Sequence, residues 1–69
     1  MGSFIAKEMR TKTIWRSPHH PNHSIERTKL IDGPKTFNVY ETQRVTELHV
    51  NCYCIGCYSN LDEAVRSLT

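Results

Sequence analysis

Apolar and polar residues alternate with a period of two along four stretches of this 69-residue chain, and follow the period of a helix along a fifth. A period of two sends successive side chains to opposite faces of a strand. In Thr11-Lys-Thr-Ile-Trp-Arg-Ser17 it predicts a short strand with Lys12, Ile14 and Arg16 on one face and Thr13 and Trp15 on the other. Residues 24–31 form a second candidate, ending at Asp32-Gly-Pro-Lys35, where glycine suits a tight turn. Thr36-Phe-Asn-Val-Tyr-Glu-Thr42 alternates cleanly, Phe37 and Val39 against Asn38 and Tyr40, so the two should pair as a hairpin. After a polar turn at 42–44, Leu48, Val50, Cys52 and Cys54 share one face and His49, Asn51, Tyr53 and Ile55 the other. Both faces become apolar towards the end, which predicts a central strand with Cys52 and Cys54 in the core. Gly56 predicts a bulge or tight bend where that strand stops.

The helical period follows at once. Leu61, Ala64, Val65 and Leu68 fall at i, i+3, i+4 and i+7, one stripe of a short helix. Ser59 or Asn60 can cap its first amides, Glu63 lies three residues after Asn60 as in a capping box, and Asp62 and Glu63 suit the positive end of the helix dipole. So short a helix is marginal alone and must dock on the sheet. The expected fold is α+β: a small antiparallel sheet of three to four strands with one C-terminal helix packed on a face. Residues 1–10 read as either a flexible arm or a first strand, and the Pro- and His-rich stretch 17–24 as a loop, because its prolines remove backbone donors.

Length then limits the function. A chain of 69 residues makes one small domain that buries about 60% of its unfolded surface, and it leaves little scaffold for a preorganised active site. A non-catalytic role is expected. The formal net charge is only +2, yet residues 1–35 carry seven basic and three acidic side chains and residues 36–69 two and four, which points to a basic face. Three cysteines without a leader peptide fit a reducing cytoplasm better than a disulfide framework, and no apolar run is long enough to cross a bilayer.

Two sets of residues could carry chemistry. Cys54-Ile-Gly-Cys57 has the spacing at which two thiolates chelate zinc, and His20 and His23 offer a second pair, so the four could make a zinc site; the alternative is small buried cysteines and solvated histidines. Redox use of the cysteine pair fits poorly, since the helix starts too late for its dipole to activate a thiol. Cys57 as a nucleophile lacks an oriented histidine in the pattern. The second set is Lys12, Trp15, Arg16, Arg27 and Lys29, on or beside two strands, where basic and aromatic groups could contact phosphates or a partner protein.

Residues 55–65, Ile-Gly-Cys-Tyr-Ser-Asn-Leu-Asp-Glu-Ala-Val, resemble the strand-to-helix junction of the sheet-plus-helix DNA-binding domains of phage integrases and plant ethylene-response proteins. Gly56, Tyr58, Asn60, Asp62, Glu63 and Ala64 carry the likeness, which spans 11 residues. It implies a sheet that reads the major groove through Arg and Trp side chains, with Trp15, Arg16, Arg27 and Lys29 on the strands concerned. The cysteine knuckle ahead of an acidic helix start is similar to the second half of prophage restriction-alleviation proteins, although their first cysteine pair is absent here. The leading expectation is a small binding module of the kind encoded by a phage or mobile element, regulating or inhibiting a host protein or nucleic-acid process. A DNA-binding domain and a zinc-stabilised regulatory module are its competitors, and exposed sheet edges leave room for a homodimer.

Overall fold

The computed structural model describes residues 4–29 and 36–69. Five strands, β1 (Ile5–Glu8), β2 (Lys12–Ser17), β3 (His20–Thr28), β4 (Phe37–Arg44) and β5 (Val50–Tyr58), precede one helix, α1 (Leu61–Leu68). Every strand pairs antiparallel with its sequence neighbour, giving the meander β1-β2-β3-β4-β5. The α+β architecture and its C-terminal helix match the expectation. The sheet has one strand more than the three to four expected, because Ile5–Glu8 adds to the outer side of β2.

Three local differences have physical causes. The stretch expected to be a loop narrows to a turn at Pro18 and His19, and β3 begins at His20. Its proline is tolerated because four residues, 21–24, stand opposite the single residue Arg16, an irregular stretch that does not require every amide in the ladder. The polar turn expected at 42–44 is strand; the chain turns instead at 45–49, where the Thr46 hydroxyl accepts from the amides of Leu48 and His49 at 3.3 and 3.0 Å. Thr46 thus supplies the side-chain turn that Gln43 and Arg44 do not. Finally, β5 is an edge strand and not a central one. Its apolar-looking residues face solvent: Tyr53 and Ile55 are about half exposed, and Cys52, Cys54 and Cys57 are all exposed. The turn expected at 32–35 lies outside the described residues, as do the first three residues of the possible arm.

Register explains where the core forms. Trp15, Ile25, Val39 and Gly56 lie opposite one another across β2, β3, β4 and β5 on one face, and α1 packs over β3, β4 and β5 on that side. Ile25, Val39 and Ala64 are fully buried at the centre, with Phe4, Trp15, Phe37, Tyr58, Leu61, Val65 and Leu68 packed around them. Gly56 leaves room for this packing: a Cβ there would stand 2.9 Å from the Tyr58 ring.

Helix α1 starts where the sequence allows it to. Asn60 is extended, with φ −144° and ψ 162°, and its side-chain oxygen accepts from the Glu63 amide at 2.8 Å. Asp62 and Glu63 occupy the first turn and Arg66 the last, both favourable to the dipole. Replacing Asn60 by alanine is expected to cost about 1 kcal/mol, read as a lower urea midpoint with an unchanged slope.

Candidate functional site on the helix-free face

With α1 on one side, no element among the described residues covers the other face of the sheet. Cross-strand register places Ile5, Lys7, Lys12, Ile14, Arg16, Ser24, Glu26, Asn38, Tyr40, Thr42 and Arg44 on that face. Four of these are basic and one is acidic. Glu26 is paired with Lys12 at 3.1 Å. Among the described residues, Lys7, Arg16 and Arg44 enter no ion pair.

A concavity of about 740 Å³ opens at the β1–β2 end of this face. Ile5, Met9 and Ile14 line it with apolar surface and Lys7 and Arg16 bring two cations to it, while the irregular start of β3 borders it through Pro21 and Ser24. Further across the face stands Tyr40. Its hydroxyl titrates above the ordinary phenol range, first because burial disfavours the phenolate and then because Glu26 lies nearby, so it is a neutral donor at physiological pH.

Beside Tyr40 the three cysteines form a row. Strict alternation would send Cys57 to the helix side, away from Cys52 and Cys54. Ile55 prevents this: Tyr40 faces Cys54 and Val39 faces Gly56, so Ile55 has no partner and β5 bulges. The extra residue restores Cys57 to the open face, opposite Asn38, while Tyr58 turns towards the core. The neighbouring Cys54 thiol, and then desolvation, raise the Cys57 thiol above its usual value. The Cys54 Sγ also reaches the Gly56 carbonyl at 3.6 Å.

The residues singled out from the sequence are therefore divided between two faces. Lys12 and Arg16 lie on the open face as alternation requires. Trp15 packs on the core side, 5.5 Å from the Phe37 ring, and Arg27 lies 5.7 Å over the same ring, a cation–π contact that occupies its guanidinium. Lys29 bonds Glu8 at 2.8 Å, and this hydrogen bond, reinforced by the charge, lowers the Glu8 carboxyl below its usual value. The single basic and aromatic surface expected from these five residues is not assembled. Lys7, Tyr40 and Arg44 join Lys12 and Arg16 instead. Lys7 fell in a segment too short to assign, and Arg44 in a stretch read as a turn; a strand through either would have given its face by parity.

The histidines and cysteines are also held apart. His20 stacks on Phe4 at 5.5 Å, with the His23 ring 6.4 Å away. His23 pairs with Glu41 at 3.4 Å on the helix side of the sheet, and hydrogen bonds from Gln43, then from His23, hold the Glu41 carboxyl low. Among the described residues, no group of three or more His, Cys, Asp or Glu side chains converges to hold a metal ion. The Cys54, Cys57, His20 and His23 set expected from spacing is thus not brought together.

No family model, curated protein or solved structure matches the chain. Among the described residues, no helix is long and apolar enough to cross a membrane. The residues behind the resemblance to integrase and ethylene-response junctions all have local work here: Gly56 admits Tyr58, Asn60 caps, Asp62 and Glu63 fill the first turn, and Ala64 is buried.

Proposed function

We propose that this chain is a small non-catalytic binding module that docks its helix-free sheet face on the phosphates of a nucleic acid. The observation that carries this reading is the charge of that face: Lys7, Lys12, Arg16 and Arg44 against Glu26 alone, with three of the four cations unpaired among the described residues. A sheet can lie along a nucleic-acid groove, and lysine and arginine on it displace condensed counterions. Tyr40, half-buried on the same face, gives it a surface for base or sugar contact.

The test is fluorescence anisotropy with labelled single- and double-stranded oligonucleotides at two salt concentrations. Three or four neutralised phosphates predict a loss of roughly 40- to 150-fold in affinity between 50 and 200 mM salt. The double variant K7E/R16E should abolish binding and flatten that slope, while K29E, on the other side of the sheet, should change it little. A binding constant that ignores salt would remove the nucleic-acid reading. Capture of a partner that survives nuclease treatment, and is lost in K7E/R16E, would transfer the same face to an acidic protein surface.

A further inference from the structure

The two outer edges of the sheet are built differently. β1 has four residues, Lys7 and Glu8 among them, and a short, charged edge discourages another chain from pairing with it. β5 has nine residues, Val-Asn-Cys-Tyr-Cys-Ile-Gly-Cys-Tyr, with neither a charge nor a proline to guard it. Its outer side pairs with no strand among the described residues. We propose that the stretch Val50 to Cys54 of β5 is a homodimer interface, pairing antiparallel with the same stretch of a second copy of this chain.

The occupant follows from the stretch itself. The bulge at Ile55 interrupts the ladder, and Val50 to Cys54 is a regular run, opposite Arg44 to Tyr40. A two-fold pairing of that run centres on its middle residue. Cys52 then faces Cys52 of the second copy, Val50 faces its Cys54, and Asn51 faces its Tyr53. None of these side chains is a fixed charge, so two identical edges meet without setting like charges opposite one another. An edge that captures a foreign extended peptide selects it through pockets for alternate side chains. The concavity of this molecule lies at the other end of the sheet, by β1 and β2, and takes no lining from β5.

Exposed apolar surface gathers at the same edge. Of the seven large apolar side chains exposed among the described residues, five (Val45, Leu48, Val50, Tyr53 and Ile55) lie on β5 or on the turn before it. Such a concentration marks an interaction surface where scattered residues would not. Leu48, in that turn, is 99% exposed. In the two-fold register it falls level with Gly56 of the second copy and next to its Ile55, so the pairing covers both apolar groups at each end of the run. The axis of an antiparallel edge pairing stands perpendicular to the sheet. The two sheets therefore continue into one, with both helices on one side and both helix-free faces on the other. The dimer does not depend on what that face binds.

Sedimentation velocity of the reduced protein over a range of concentrations should show a reversible shift from one chain to two. C52K and C52E set like charges face to face at the centre of the run, and each should sediment as a single chain. Mixed in equal amounts they should dimerise again, which variants that had merely lost their fold could not do. Cys52 is exposed, so neither charge is forced into the core. A second measurement leaves Cys52 in place. In C54S/C57S, mild oxidation with diamide should give a covalent dimer, because directly opposed strand residues stand about 4.5–5.5 Å apart at Cα, within the span a disulfide bridges. In C52S/C57S the two Cys54 thiols start about 13 Å apart along the ladder and should not join. An unsubstituted chain that stays single at every concentration would overturn the interface. So would a dimer that persists in both C52K and C52E, a mixture of the two that stays monomeric, or cross-linking as fast through Cys54 as through Cys52.

Discussion

Replacing Ile25 by alanine is expected to leave most of the chain unfolded at room temperature. Ile25 is fully buried on the central strand β3, beside Val39 and beneath Ala64, in a core with three residues at its centre. Truncating a buried isoleucine costs about 2–5 kcal/mol through lost transfer energy and the cavity left behind. A domain of this size holds only about 3–5 kcal/mol in total. Urea unfolding followed by the fluorescence of Trp15, which sits against Phe37 and the core, should show the native baseline lost or the midpoint moved close to zero denaturant. A midpoint within experimental error of the parent would mean that the core is not centred on Ile25.

The second large effect concerns the helix. A chain ending at Asn60 lacks Leu61, Ala64, Val65 and Leu68, every helical residue packed on the core. What is left is a single layer of sheet whose Ile25 and Val39 face water, and a one-layer sheet has no interior. The expected result is loss of the cooperative unfolding transition and of amide protection in β3 and β4. A sigmoidal urea curve from that truncated chain would show that the sheet is stable unaided, with the helix an accessory. Asn60 would matter little in that case, which the smaller effect of its alanine variant checks independently.

Most of this architecture was legible because period-two alternation and helix capping are local. Thr13 and Trp15, Phe37 and Val39, and Leu61 through Leu68 declare their faces within a few residues, and each lies where its pattern put it. The errors arose where a neighbour outside the local window decides the outcome. Nothing within β5 reveals that no strand among the described residues pairs with its outer edge, so two apolar-looking faces suggest a centre and place Cys52 and Cys54 in the core. β1 carries four exposed residues and no alternation of burial, and it exists because β2 offers it a ladder. The candidate site was harder still. Arg27 and Lys29 are as basic as Lys7 and Arg44, but one lies over Phe37 and the other is tied to Glu8, contacts that depend on tertiary placement. Spacing likewise suggested that His20 and His23 could meet Cys54 and Cys57, without knowing that His23 would be held on the helix side of the sheet.

The unpaired Ile55 has a genetic consequence. Loss of that one codon would set Cys54, opposite Tyr40, directly beside Gly56, opposite Val39, and so leave a regular ladder. Cys52, Cys54 and Cys57 would then share the open face, and Tyr58 the helix side, by plain alternation, without any of their codons changing. The strand can lose a residue at Ile55 without turning a paired side chain over.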